Sequence, residues 1–284
     1  MSENPSVFLD TTVLANALLR RDAVGRACLE SIQKAKFSET PHYALKEFKA
    51  GPLYAWIWLH NKFQETQSLA STVAAMSRIA GTARRNLAGS ILGAFNQILE
   101  TEKNKFTTLA EFANTPNRSL DEVLSDRYRL LSRRRVHDAW RRRRTIVSQV
   151  SYPLKCFVEG ELLMANGKFN FERLTCPQKG PCALGPLLAS QPESLAKLIE
   201  VLEKLPPKNE NEQRKKVLKS LLRKPKEPLD NNQCRSLGDA VFALLCPSSS
   251  VISTTNVKDH LPLAQALNKE VVDPTNKVAP PSQT

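Results

Sequence analysis

Two stretches nearly two hundred residues apart share one grammar, and that shared grammar constrains the fold more than any other feature of the chain. Near the start, Val7-Phe8-Leu9 is a short apolar run that reads as a buried strand, and Thr11 to Arg20 continues as a helix. A helix over Ala23 to Lys36, a strand over Lys36 to Glu39, and a helix capped by Thr40 complete this half. Pro41 falls in the first turn of that last helix, where a missing N–H costs nothing, and Gly51-Pro52 is expected to end it. The tail repeats the pattern as a helix over Ser236 to Leu245, a strand over Val251 to Ser253, a helix over Leu261 to Asn268 and a strand over Glu270 to Asp273. Strands alternating with helices pair in parallel and carry helices on the faces of the sheet. Neither half has strands enough for a sheet of its own. The expected fold is therefore a three-layer α/β/α domain with a mostly parallel sheet, made discontinuously from residues 1–50 and 230–275.

Residues 51–229 are then an insertion, and they read as all-helical. Helices are expected over Tyr54 to Gly81, Arg84 to Glu100, Thr108 to Ala113, Ser119 to Val150, Pro192 to Leu205 and Asn211 to Arg223. Ser119 and Glu122 have capping-box spacing at the start of the longest. Thr175 to Pro192 reads as a loop, Leu205 to Asn209 as a break, and residues 276–284 as a disordered tail.

Charge separates the same two parts. The net charge is +13, and it lies wholly in residues 51–229, with thirty Lys/Arg against seventeen Asp/Glu. Such an excess suits a polyanionic partner. Between Asp126 and Arg144 there are nine arginines, too many for one side of a helix. Arg133, Arg134, Arg135, Arg141, Arg142, Arg143 and Arg144 are the candidate phosphate contacts, with Tyr128 and Trp140 placed to stack on bases. An acidic protein is the rival partner. Lys215, Lys216, Lys219, Arg223, Lys224 and Lys226 form a weaker patch.

No apolar run reaches the ~20 residues that span a bilayer, so membrane insertion is excluded from the expectations. Met1 to Pro5 lacks the basic and apolar parts of a secretory signal, so a cytoplasmic setting with reduced thiols is expected for the six cysteines. Cys176 and Cys182 are separated by more than the usual gap between zinc ligands and read as ordinary thiols.

Four acids stand where the two halves would meet: Asp10, Glu47, Asp239 and Asp259. Each has a structural alternative. Asp239 is spaced from Ser236 as in a capping box, Asp259 precedes a helix as an N-cap would, and Glu47 lies beside Lys46 and Lys49. Asp10 directly follows a buried strand and needs a partner at the sheet edge. In an open parallel sheet such strand ends and helix starts gather at one crevice, and carboxylates gathered there suit hard divalent cations.

In this order the motifs resemble those of the PIN-domain nucleases. Phe8-Leu9-Asp10-Thr11-Thr12 is similar to the family's apolar strand ending in Asp-Thr, Tyr43-Ala44-Leu45-Lys46-Glu47 to its helical Glu, Gly238-Asp239-Ala240 to its third acid, and Val251 to Asp259 to its strand and Thr-rich turn. The resemblance covers about a hundred residues at the two ends. It implies a ribonuclease using one or two Mg²⁺ or Mn²⁺ ions held by Asp10, Glu47, Asp239 and Asp259. Thr11, Thr12, Thr255 and Asn256 would orient those ligands, and RNA is favoured over DNA. A flap-type DNA nuclease and an inactive scaffold binding RNA or protein are the alternatives. The chain departs from the family in the long interval before Asp239, and in Asn256 standing where many members have an acid.

Overall fold

Val7, Phe8 and Leu9 are all buried, as a run of apolar residues must be in a strand covered on both faces. The computed structural model describes residues 5–82, 85–102, 118–154, 162–170 and 183–276. Within them the strands are β1 (Ser6–Leu9), β2 (Ser38–Pro41), β3 (Gln149–Ser151), β4 (Met164–Ala165), β5 (Lys168–Phe169), β6 (Ser250–Ser253) and β7 (Val271–Val272). Five make one sheet in the order β3-β2-β1-β6-β7, and every pairing in it is parallel. β4 and β5 form a separate antiparallel hairpin. The chain steps from β1 to β2 to β3 in one direction and from β6 to β7 in the other. With right-handed crossovers, that topology is compatible with helices on both faces in three layers. It also creates a switch point between β1 and β6.

The first helices are α1 (Thr11–Leu19), α2 (Ala23–Lys34), α3 (His42–Phe48), α4 (Tyr54–Thr66), α5 (Leu69–Ala80) and α6 (Arg85–Glu102). There follow α7 (Leu120–Arg142), α8 (Leu184–Ala189), α9 (Pro192–Lys204), α10 (Asn209–Arg223), α11 (Asn231–Leu237), α12 (Asp239–Leu245) and α13 (Val257–Ala266). The Ser119–Glu122 capping box opens α7 as its spacing predicts. In α4, Trp56, Ile57 and Leu59 are core, which accounts for the apolar run at its start.

Several boundaries differ from the expected ones, each for a local reason. Thr40 and Pro41 end β2 instead of opening a helix, because Thr40 pairs with Val150 across the sheet. Gly51-Pro52 does not stop the chain; a π-helical turn over Lys49–Leu53 carries it into α4. Gln67, at φ 52°, breaks the long helix expected from Tyr54. Gly238, at φ 45°, splits Ser236–Leu245 between α11 and α12, and the capping box there is Asp230 with Gln233. A short helix, α8, lies in the stretch read as a loop. The expected all-helical insertion is corrected at its centre, since β3 returns to the sheet beside β2 and β4–β5 forms a hairpin. The helix expected over Thr108 to Ala113, the tail from residue 277, and Cys156, Cys176 and Cys182 lie outside the described residues. Cys28, Cys234 and Cys246 are buried thiols free of disulfides. No helix among the described residues is long and apolar enough to cross a membrane.

Candidate active site

Leu9 pairs in parallel with Ser253, so the residues after them, Asp10 and Thr254, leave the sheet side by side at the switch point. Asp10 is only 3% exposed, and its backbone N–H donates to the Ser253 carbonyl at 3.0 Å. The hydroxyls of Thr12 and Thr254 both donate to Asp10 Oδ2 at 2.7 Å. From α3, on the neighbouring strand's crossover, Glu47 Oε2 accepts from the Thr11 hydroxyl at 2.7 Å. Asp239 is the first residue of α12, positioned by the turn at Gly238. The halves of the chain thus bring Asp10, Glu47 and Asp239 to one place.

Two cationic side chains sit among these carboxylates. His260 Nε2 lies 3.5 Å from Asp10 Oδ2 and 3.2 Å from Asp239 Oδ1. Arg214, from α10, donates through Nη2 to Asp239 Oδ2 at 3.0 Å. Burial alone would lower the His260 pKa, but the Asp10 and Asp239 carboxylates outweigh it and raise the imidazole to about 10. Burial opposes the charge of Asp239 as well, yet His260 and Arg214 hold that carboxyl below its usual value. Glu47 is pushed up to about 7 by burial, with the charges of Asp10 and Asp239 adding and the Thr11 hydrogen bond opposing. Both oxygens of Asp239 therefore face a cation, while Glu47 carries negative charge short of one.

Glu47→Gln should stabilise the ion-free protein. A carboxyl raised from 4.5 to about 7 contributes stability that is fully present below pH 4.5 and is lost as pH rises through about 7. At pH 8 the variant should melt higher than wild type by about 2–4 °C, as expected for ~1 kcal/mol in a chain of this size. At pH 4 the difference should vanish. Melting curves in EDTA across that range check it, and equal melting temperatures at pH 8 would show that Glu47 carries no such cost.

Asp259 is not brought into the cluster: it is exposed in the first turn of α13, and the next residue, His260, points inward instead. The reason is helix phase. α13 begins at Val257, four residues earlier than expected, and its buried positions His260, Leu263 and Ala264 follow the i, i+3, i+4 stripe. The Thr-rich turn is likewise shifted by one. Thr254 supplies the hydroxyl to Asp10, whereas Thr255 gives its backbone N–H to Thr12 Oγ1 at 3.2 Å and its hydroxyl lies 3.4 Å from Asn16 Nδ2. The backbone N–H of Asn256 donates to Thr254 Oγ1 at 2.9 Å, fixing that hydroxyl. Arg214 has a signal in the sequence too. It shares one helical face with Val217, Leu218 and Leu221, and a guanidinium on an apolar face requires a buried partner.

The arginine helix divides by burial. Arg133, Arg134, Arg141 and Arg144 are exposed, with Arg142 half-buried. Arg135 is removed from the phosphate-binding set: it donates to the Leu19 carbonyl, lies 5.4 Å over the Trp56 ring, and is lowered to about 10 chiefly by burial. Trp140 is removed as well, since it is 6% exposed and covered by Arg143 at 3.7 Å and Lys49 at 5.2 Å. Tyr128 packs with Phe63 and Phe95 in the core. Large aromatic rings on a helix are core more often than stacking platforms, and here the four-residue spacing between buried Ser132, Val136 and Trp140 marks the inward stripe.

Asp10, Glu47 and Asp239 offer oxygen donors alone, and they fit Mg²⁺ or Mn²⁺ in kind. The raised Glu47 pKa marks charge that a cation would relieve. Among the described residues, however, no three His, Cys, Asp or Glu side chains are arranged so that they could hold a metal ion. No protein-family model, curated protein or solved structure matches this chain.

Proposed function

We propose that the chain is a PIN-like, divalent-metal-dependent ribonuclease whose basic helix α7 engages the RNA backbone. The observation that carries this reading is the convergence of Asp10, Glu47 and Asp239 at the switch point of a parallel sheet, where such folds bind ligands. Asp10, Glu47 and Asp239 would hold a Mg²⁺ or Mn²⁺ ion, which when bound supplies an activated water and neutralises charge at phosphorus. Thr12 and Thr254 fix one oxygen of Asp10, and Thr11 fixes one of Glu47, so the carboxylates are oriented before substrate arrives. With Asp259 exposed, the reading carries one ion rather than two. Arg133, Arg134, Arg141 and Arg144 present guanidinium groups that phosphate oxygens can take bidentately.

The experiment compares single-stranded RNA, single-stranded DNA and a branched DNA flap, each with Mn²⁺. Cleavage of the RNA alone supports the proposal, and preferential cutting of the flap would replace RNA with branched DNA as substrate. One observation favours a second reading, a non-catalytic scaffold. Both oxygens of Asp239 are already neutralised by His260 and Arg214, so the acids can persist without an ion. Binding of RNA without cleavage in any metal would favour it.

Replacing Arg133, Arg134, Arg141 and Arg144 together with Gln should weaken RNA binding and flatten its salt dependence. Each lost phosphate contact reduces the slope of log K against log salt by about 0.7 on a single strand. Trp140→Ala should instead cost about 3–5 kcal/mol of stability, as a buried aromatic does. Binding across a salt series and a denaturant melt separate the two effects, and an unchanged slope in the quadruple variant would assign the exposed face to a protein partner.

A further inference from the structure

We propose that Arg214 is an internal placeholder for the divalent ion, which must displace its guanidinium from Asp239 before that carboxylate can become a ligand. The inference rests on the metal-dependent reading above and names a residue that sets the ion's affinity. Arg214 is 8% exposed and comes from α10, within the long segment that separates the two halves of the sheet. Its Nη2 lies 3.0 Å from Asp239 Oδ2, and the other carboxylate oxygen faces His260 at 3.2 Å. Each oxygen of Asp239 thus already faces a cation, and an arriving ion meets positive charge on both sides of the carboxylate.

The residue before Asp239 lies against that guanidinium. Gly238 has φ 45°, a conformation that glycine adopts at little cost, and a Cβ there would come within 3.1 Å of Arg214 Nη2. The arginine is nevertheless incompletely bonded, because its buried Nε has no hydrogen-bond partner among the described residues. A guanidinium with a purely structural role in a protein interior ordinarily satisfies its donors, often in a bidentate fork. Among the described residues Arg214 makes one hydrogen bond, to one oxygen of Asp239, which is a hold an incoming cation can compete for. His260 Nε2 is shared between Asp239 Oδ1 at 3.2 Å and Asp10 Oδ2 at 3.5 Å, and neither ring nitrogen makes a hydrogen bond of good geometry among the described residues.

Giving up a charge-assisted hydrogen bond should weaken ion binding on the order of ten- to a hundredfold. Calorimetric Mn²⁺ titration of the full chain, at fixed pH and salt, tests this on wild type, Arg214→Gln, Arg214→Lys and Asp10→Asn, with melting curves confirming that each is folded. Arg214→Gln should bind Mn²⁺ ten- to a hundredfold more tightly than wild type. Arg214→Lys, which loses the reach and planarity of the fork, should fall between them and serves as the test if the Gln variant does not fold. Asp10→Asn should bind weakest. Mn²⁺ affinity that is unchanged or weakened in both Arg214 variants, with Asp10→Asn still impaired, would overturn the placeholder and leave the metal site standing. Absence of Mn²⁺ binding in wild type and in both Arg214 variants would overturn the placeholder and the metal-dependent reading together.

Discussion

Replacing Asp10 with Asn, or Asp239 with Asn, is expected to abolish phosphodiester cleavage while leaving the protein folded. Loss of a partner that merely orients a metal ligand typically costs 10–100-fold, so loss of a ligand's charge should cost more than about 100-fold. Thr254→Val, which removes one hydroxyl from Asp10 Oδ2, belongs in the smaller class and should lower the rate within that ~10–100-fold range. The fold should survive because the Asn amide oxygen still accepts from Thr12 and Thr254 at position 10 and from Arg214 at position 239, and because His260 keeps one of its two carboxylates in either variant. Initial rates at saturating Mn²⁺, paired with melting curves, separate chemistry from stability. An Asp10→Asn protein that cuts at the wild-type rate would remove Asp10 from the reaction.

The largest effect on stability is expected at His260. Its side chain is 1% exposed between Asp10 and Asp239, and taking one partner from a buried ion pair strands the other's charge. His260→Leu preserves bulk against Phe242, whose ring lies 5.6 Å away, so packing loss is secondary. The ion-free variant should be destabilised by about 3–5 kcal/mol at neutral pH. The pH dependence has a definite sign. An imidazole raised from 6.5 to about 10 contributes stability that is fully present below pH 6.5 and is lost as pH rises through about 10. Wild type should therefore lose stability from pH 7 to 10 while His260→Leu stays flatter, and the two curves should approach each other at the alkaline end. Mn²⁺ should restore stability to the variant, because an ion on Asp10 replaces the missing cation. Denaturant melts at pH 7 and pH 10, with Mn²⁺ or EDTA, measure all three effects. A neutral-pH stability equal to that of wild type would show that His260 is not compensating these acids.

The parallel strands were legible because their residues obey local rules. Val7 to Leu9 and Val251 to Ser253 are short apolar runs, and each precedes a helix, which leaves parallel pairing as the natural arrangement. The carboxylates Asp10, Glu47 and Asp239 were legible for the same reason, since strand ends and helix starts fix where a side chain emerges. What escaped was mostly phase. A helix beginning at Val257 instead of Leu261 turns Asp259 outward and His260 inward, and nothing local to that segment fixes its first residue. β3 escaped because Gln149-Val150-Ser151 is a three-residue edge strand with little apolar signature, made a strand by pairing with β2. The arginines around Trp140 show a different limit. Composition finds a cationic helix, but only packing shows that Arg135 and Arg143 lie against Trp56 and Trp140 while Arg133 and Arg134 face solvent. Arg214 was readable as a charge on an apolar stripe, yet its partner stands 25 residues away and becomes visible only when α10 packs on α11.

One measurement bears most directly on the three-carboxylate site: cleavage of end-labelled single-stranded RNA by the protein in Mn²⁺, in Mg²⁺ and in EDTA. A metal-dependent site made by Asp10, Glu47 and Asp239 predicts cleavage with either ion, none in EDTA, and recovery when Mn²⁺ is added back in excess. Cleavage that persists in EDTA, or a folded protein that cuts neither this RNA nor DNA in either ion, would contradict it.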